Sequence, residues 1–348
     1  MAYAGVLDDV RRCVRLQVPE RVPVMALTEE FDVGQAGLTY EEYAANADNV
    51  AKAHIQAIED FGYDWACIYI DDCIEFEPLG VETVGRGNIP RSALTFLPAA
   101  AETVRALRIP DPCRAGRMPI LLEAIAKVRE RVGDSAVICG RSPAPFSAAA
   151  LLFGVQTVMM LIYDNPALLR DAMGFLMDAA EVFARAQIEA GAHALWVGDC
   201  SASSRFISPS HFMEFAAAPA AEHLARLKRL GALTIYFAAE KQIPHLDAMC
   251  GLGADIIGLG EDANLAECKA AVGDRACLMG NLDPINVLLN GTPEIVEAEV
   301  RRIVGTACRS GGHLFNTGEG VPRATPVENV RAMVRALRES VGLLHGGR

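Results

Sequence analysis

Short apolar runs rich in Val, Ile and Leu alternate along this chain with longer stretches in which apolar residues recur at helical spacing. The runs at 21–27, 65–70, 136–140, 194–197, 233–237, 255–259, 276–280 and 312–316 read as strands. The stretches at 40–61, 119–132, 145–153, 165–190, 209–230, 242–252, 265–272, 293–308 and 326–341 read as helices. Helix starts are marked by Ser208-Pro209, Thr292-Pro293 and Thr325-Pro326, where a proline at the first turn gives up an amide that has no helical partner. Strand and helix in steady alternation predict β-α units with parallel strands. Eight such units predict an α/β fold of the TIM-type (β/α)8 barrel class.

The ends of these runs carry a second pattern. They read CIYI-Asp71-Asp72, ALWVG-Asp199, LTIYFAA-Glu240, IIGLG-Glu261-Asp262, CLMG-Asn281-Leu282-Asp283 and HLFNTG-Glu319. In a parallel barrel all strands open on one face, so these groups are expected to converge on one acidic pocket. A single strand-end Asp has a plainer explanation as a helix cap, but Glu240 and Glu319 are poor caps. Glu319 also sits between Gly318 and Gly320, where the backbone can turn sharply toward a ligand.

Residues 1–20 read as a short amphipathic amino-terminal helix. Residues 75–118 lack periodicity and carry Gly80, Gly85, Gly87, Pro90, Pro98, Pro110 and Pro112, so they are expected to form an insertion after strand two, over the barrel mouth. No linker or repeat divides the chain, and 1–348 is expected to be one domain.

Charge and cysteines narrow the function classes. A net charge of −12 and a pI near 5.1, without a Lys/Arg cluster, argue against nucleic acid or an anionic membrane as partner. No uncharged apolar stretch reaches the roughly 18 residues of a membrane span. Ten cysteines without a C-x-x-C pair fit free thiols in a reducing cytoplasm.

Crowded acids raise one another's pKa, so one is expected to stay protonated near neutrality and to donate to a leaving group, while ionised ones can bind a divalent metal. Glu240, Glu261 and Glu319, after strands five, six and eight, are positioned to meet over the mouth. Arg141, after the third strand, is the expected counter-charge. Tyr236 is expected to face the pocket if Glu240 stands at its rim, and otherwise to fill the core, as Trp196 does. His193 and His313 fall at strand entrances and His54, His211 and His245 on helices, so the histidines read as structural.

Three segments, FISPSHFMEFAAAPAAEHLARLK, LMGNLDPINVLLNGTPEIVEAEV and GGHLFNTGEGVPRATPVENVRAMV, with RVPVMAL and IDDCIEFEPLGVE nearer the amino terminus, resemble the uroporphyrinogen decarboxylase superfamily. That superfamily also contains the corrinoid-dependent methyltransferases. Asp71 falls where the decarboxylases keep a catalytic Asp. Their Arg-rich segment after the first strand is replaced here by MALTEEFDVGQAGLTYEEY, with Thr28, Glu29 and Glu30, which would repel a substrate of eight carboxylates. The His of their N-L-G-H-G motif is Glu319 here. The thiol-methylating branch binds zinc through H-x-C and a later Cys; here Tyr236-Phe237-Ala238 and Glu319 stand instead.

The resemblance therefore implies a substrate-side methyltransferase, an O-demethylase component that moves a methyl group from a small methylated substrate, such as an aromatic methyl ether, to cob(I)alamin on a corrinoid partner protein. Its expected catalytic residues are Glu319, Asp199, Asp71 and Tyr236. Arg141, Asn281 and Asp283 are expected to bind substrate, although Asn281 and Asp283 equally suit a role in shaping the loop after strand seven. Zinc on Glu240, Glu261 and Glu319 is the alternative to proton donation, and family barrels often pair as homodimers. A decarboxylase of a small acid that keeps Asp71 is a second reading, and a ligand-binding barrel without chemistry a third.

Overall fold

The computed structural model describes residues 3–345. In chain order its strands are β1 (Trp65–Cys67), β2 (Thr83–Arg86), β3 (Ile89–Ala93), β4 (Val137–Pro143), β5 (Ala194–Gly198), β6 (Leu233–Glu240), β7 (Ile256–Leu259), β8 (Cys277–Met279) and β9 (His313–Leu314). Seven of them form one parallel sheet in the order β1-β4-β5-β6-β7-β8-β9, with helices between successive strands, a TIM-like α/β arrangement.

The expected first strand, 21–27, is extended but forms no ladder. Pro23 has no amide to donate, and the segment is tied by isolated bonds instead. Asp64 N donates to Val24 O (3.0 Å) and Trp65 Nε1 to Ala26 O (2.7 Å) on the β1 side. Leu27 N donates to Thr317 Oγ1 (3.1 Å) and Val321 N to Leu27 O (2.7 Å) on the β9 side. The segment thus lies between the two edge strands and joins them.

Strand alternation sorts the core into two parts. Met25, Trp65, Cys67, Val137, Cys139, Ile235, Ile256, Cys277, Met279 and Leu314 pack together inside the curled sheet, and Val6, Val10 and Cys13 of the helix Val6–Val14 pack on them. The alternate residues, among them Ala66, Ile138, Leu195, Tyr236, Ile257 and Leu278, pack against the surrounding helices. The interior is a filled core, so the carboxyl ends of the strands are where space for chemistry remains.

Residues 75–118 contain a short helical turn (Glu77–Leu79), the β2–β3 hairpin and the helix Ala101–Ala106. Among the described residues no single helix is long and apolar enough to cross a membrane. The pair Pro145–Phe153 and Val155–Asp164, bent by 111° at Gly154, reaches that length and apolarity only when joined, and most of its apolar residues are core.

Candidate active site

A cavity of about 680 Å³ opens over the carboxyl ends of the strands. Its walls come from the two short helices after segment 21–27, Glu29–Gln35 and Tyr40–Tyr43 (Glu29, Glu30, Tyr40), from β1 and its loop (Cys67, Tyr69, Asp72), from β4 (Arg141, Pro143), from β5, its loop and β6 (Trp196, Cys200, Phe237) and from the loops after β7 and β9 (Glu261, Glu319). Pro90, on β3, brings the β2–β3 hairpin to the rim.

Glu319 reaches the cavity because of the glycine before it. Gly318 has φ +73°, and a Cβ there would lie 2.8 Å from Glu261 N and 2.9 Å from Glu261 Cα. Only glycine lets the β9 loop press so closely on the β7 loop. Burial, and then the neighbouring Glu261, raise the Glu319 carboxyl to about 7, while Arg205 works in the opposite direction. Arg205 lies 3.7 Å from Glu261 and 3.4 Å from Asp262, and Glu261 Oε2 is buried without a hydrogen-bond partner among the described residues.

Arg141 lines the opposite wall with its guanidinium already engaged. Nε donates to Glu75 (3.0 Å), Nη2 to Asp72 (3.3 Å) and Nη1 to the Asp71 carbonyl. Burial raises the Glu75 carboxyl to about 7 although Arg141 pulls it down. The Asp71 carboxylate does not line the cavity. Arg117, from the insertion, grips it through two hydrogen bonds of 2.6 and 3.0 Å and also holds Glu77 at 2.8 and 2.9 Å.

Asp199 and Tyr236 meet each other behind the wall. Tyr236 OH donates to Asp199 (2.6 Å), and Ser147 donates to it through Oγ (2.7 Å) and N (3.1 Å). Burial raises Asp199 to about 6 against these donors. Of the two expectations for Tyr236, the pocket-facing one is corrected and the core-filling one stands: Ile235 and Phe237 face inward, so the residue between them faces the helices. The backbone at Ala239 (φ 48°) and a register shift between Phe237 and Glu240 break the phase that linked Tyr236 to Glu240.

Glu240 is occupied too. Ser204 N and Oγ (both 2.7 Å), Lys241 N (2.8 Å) and Gln242 N (2.7 Å) all donate to its carboxylate and help hold it below the ordinary range despite burial. The expected zinc set of Glu240, Glu261 and Glu319 is therefore not assembled, and among the described residues no group of three or more His, Cys, Asp or Glu is placed to hold a metal. Asn281 Nδ2 donates to Gly260 O (2.9 Å) and Ala263 O (2.8 Å), which fixes the β7 loop. Asp283 caps the turn Pro284–Leu289 by accepting from Ile285 N and Asn286 N. Neither lines the cavity. His193 Nδ1 accepts from Ile138 N (3.0 Å) at the far end of the sheet, as a structural histidine does.

Two cavity residues, Glu29 and Trp196, and one residue behind the wall, Arg117, carry more than the sequence suggested. Glu29 is raised to about 7 by burial, with Cys67 as a hydrogen-bond partner and Glu30 as a neighbouring like charge. Trp196, expected to fill the barrel, forms part of the cavity wall with its ring 4.8 Å from that of Phe237. Arg117 had no strand-end or motif signal at all.

Comparison with known proteins agrees with this architecture. The uroporphyrinogen decarboxylase (URO-D) family model matches residues 7–340. Uroporphyrinogen decarboxylases of Methylococcus capsulatus and Chromohalobacter salexigens are each 29% identical, over 96% and 97% of this chain and 98% and 99% of theirs. Among solved structures, a methyltransferase from Methanosarcina mazei superposes with a TM-score of 0.85 at 24% identity, covering 96% of this chain and 98% of that one. A B12-independent methionine synthase from Shewanella sp. W3-18-1 superposes with a TM-score of 0.56 at 10% identity, over 94% and 96%. With the family match spanning nearly every described residue, the chain belongs to the uroporphyrinogen decarboxylase (URO-D) family.

Proposed function

We propose that this chain is a methyltransferase that moves a methyl group from a small methylated substrate to cob(I)alamin carried by a separate corrinoid protein. The observation that carries the reading is Glu319: a carboxyl raised to about 7 on the wall of an open cavity is in part protonated at neutral pH. Such a group holds a proton where a departing alkoxide or phenoxide needs one. The corrinoid supplies the nucleophile. The chain's own residues bind the substrate, keep the proton at a Glu319 carboxyl oxygen and position the ether oxygen toward it.

The cavity's charge disfavours the substrate of the named relatives. Its lining carries five acidic side chains, Glu29, Glu30, Asp72, Glu261 and Glu319, against the guanidinium of Arg141, which is already engaged. A polyanionic porphyrinogen would meet repulsion instead of Arg forks. The fold shared with the Methanosarcina mazei methyltransferase is compatible with methyl transfer. A second reading, decarboxylation of a small acid, is supported by the relatives' names and would use Arg141 as anchor, but Asp71 is turned into its pair with Arg117. Mixing the chain with a reduced corrinoid protein and a panel of methoxylated aromatics tests the proposal. Conversion of the Co(I) spectrum to methyl-Co(III) is expected; release of CO2 from a small acid with no methyl-Co(III) from any ether would overturn it.

A further inference from the structure

The cavity is sorted by charge and by side. Around the sheet, the loop of segment 21–27 and the β9 loop are neighbours, joined by the Val321 N to Leu27 O bond, and they bring Glu29, Glu30 and Glu319 to one side. The nearby cations are committed elsewhere. Arg141 is held by Glu75 and Asp72, Arg205 faces Glu261 and Asp262, Lys241 pairs with Asp262 at 2.6 Å, and Arg117 is shared by Asp71 and Glu77. Among the described residues none of Glu29, Glu30 and Glu319 has an ion-pair partner. On the β5–β6 side, Trp196 and Phe237 present aromatic surface with no carboxylate between them.

Resting on the methyl-transfer reading, we propose that the methyl donor is an aryl methyl ether bearing a protonated amine, its ring against Trp196 and Phe237, its ammonium on Glu29 and Glu30, and its ether oxygen toward Glu319. An ammonium supplies the charge that Glu29 and Glu30 lack, Arg205 already bearing on Glu319, and the aromatic walls favour both a ring and a cation. The raised carboxyls at Glu29 and Glu319 agree with a site whose counter-charge arrives with the ligand. In the reaction the bond from methyl carbon to oxygen would break as Co(I) of the partner's corrinoid supplies the electron pair of the new bond to that carbon and becomes Co(III). The electron pair stays on the phenolic oxygen, which takes the Glu319 proton, and the ammonium is unchanged.

The test is binding to the purified chain alone, by calorimetry at pH about 8, above the titration of Glu29 and Glu319 near 7. Three probes differ in charge: 4-methoxybenzylamine, 4-methoxybenzyl alcohol and 4-methoxybenzoate. The amine is expected to bind at least about tenfold more tightly than the alcohol, a difference of about 1.4 kcal/mol, with the benzoate weakest. Glu30→Gln, at an exposed carboxylate whose loss leaves the core untouched, is expected to reduce the preference about threefold. Equal binding of amine and alcohol, tighter binding of benzoate, or no binding of the amine at millimolar concentration overturns the proposal. Because no corrinoid is present, an amine preference without later methyl transfer would leave the cation site standing and remove the methyltransferase reading alone.

Discussion

Arg117 holds Asp71 through two hydrogen bonds of 2.6 and 3.0 Å, and so draws into the protein the carboxylate that the family resemblance assigns to chemistry. The Asp71 side chain is 1% exposed and that of Arg117 17%, so the pair is shielded on both sides. Removing one member of a buried pair leaves the other charge without compensation. Arg117→Gln is expected to cost about 3 kcal/mol in urea unfolding, and Asp71→Asn in the same chain to recover much of it. A loss below about 1 kcal/mol, the range of exposed pairs, would contradict this role.

In the proposed reaction Glu319 is expected to set the pH behaviour. As a proton donor raised to about 7, it predicts a turnover rate that falls as pH rises through about 7, a limb that Glu319→Gln removes along with about 10²-fold or more of the rate. Glu261→Gln removes the like charge that raises it, so the limb should move to lower pH. Because the folded value lies above the ordinary 4.5, the stability contributed by protonated Glu319 is fully present below about 4.5 and is lost as pH rises through about 7. A pH profile identical in wild type and Glu261→Gln would show that Glu319 is not the titrating acid.

Gly318 is expected to tolerate no side chain. Its positive φ and the 2.8 Å approach to Glu261 N mean that Gly318→Ala either strains the β9 loop, at about 2 kcal/mol, or pushes it away from the β7 loop. In the second case the Glu319 limb shifts to lower pH while stability changes little. Wild-type stability together with a wild-type profile would show that the close contact has no role.

Dialysis against a strong chelator is expected to leave both the proposed methyl transfer and the melting temperature unchanged. Glu240 accepts from four donors of its own loops, which leaves Glu261 and Glu319 without a third ligand. Stoichiometric zinc in the purified chain, with activity lost on its removal and restored on its return, would refute this.

The parallel strands and helices were legible in the sequence because each strand is buried on both faces and reads as a continuous apolar run. The exception was 21–27, equally apolar, where Pro23 prevents a ladder that hydrophobicity alone suggested. The convergence of acids at the mouth was legible for Asp72, Glu261 and Glu319. It was not legible which carboxylates face the cavity, because that depends on donors supplied from elsewhere: Arg117 for Asp71, Ser204 for Glu240, Ser147 for Asp199. Strand alternation did contain the direction of Tyr236, since Phe237 and Ile235 on either side belong to the interior.

The bond between Tyr236 and Asp199 separates positioning from chemistry. Asp199 takes donors from Ser147, at the start of the helix Pro145–Phe153, and from Tyr236 on β6, so its carboxylate fastens that helix to the end of β5. Tyr236→Phe removes one donor from a fully buried acceptor, at an expected cost of about 1–3 kcal/mol, and should raise the Asp199 carboxyl above its present value of about 6. The chemistry should survive: turnover is expected to fall by less than about tenfold, with the Glu319 limb unmoved, because neither side chain lines the cavity. Substrate affinity should weaken more than turnover, since Ser147 and the loop after β5 form part of the wall. A Tyr236→Phe protein that folds with wild-type stability yet transfers no methyl group would place the tyrosine hydroxyl in the reaction itself.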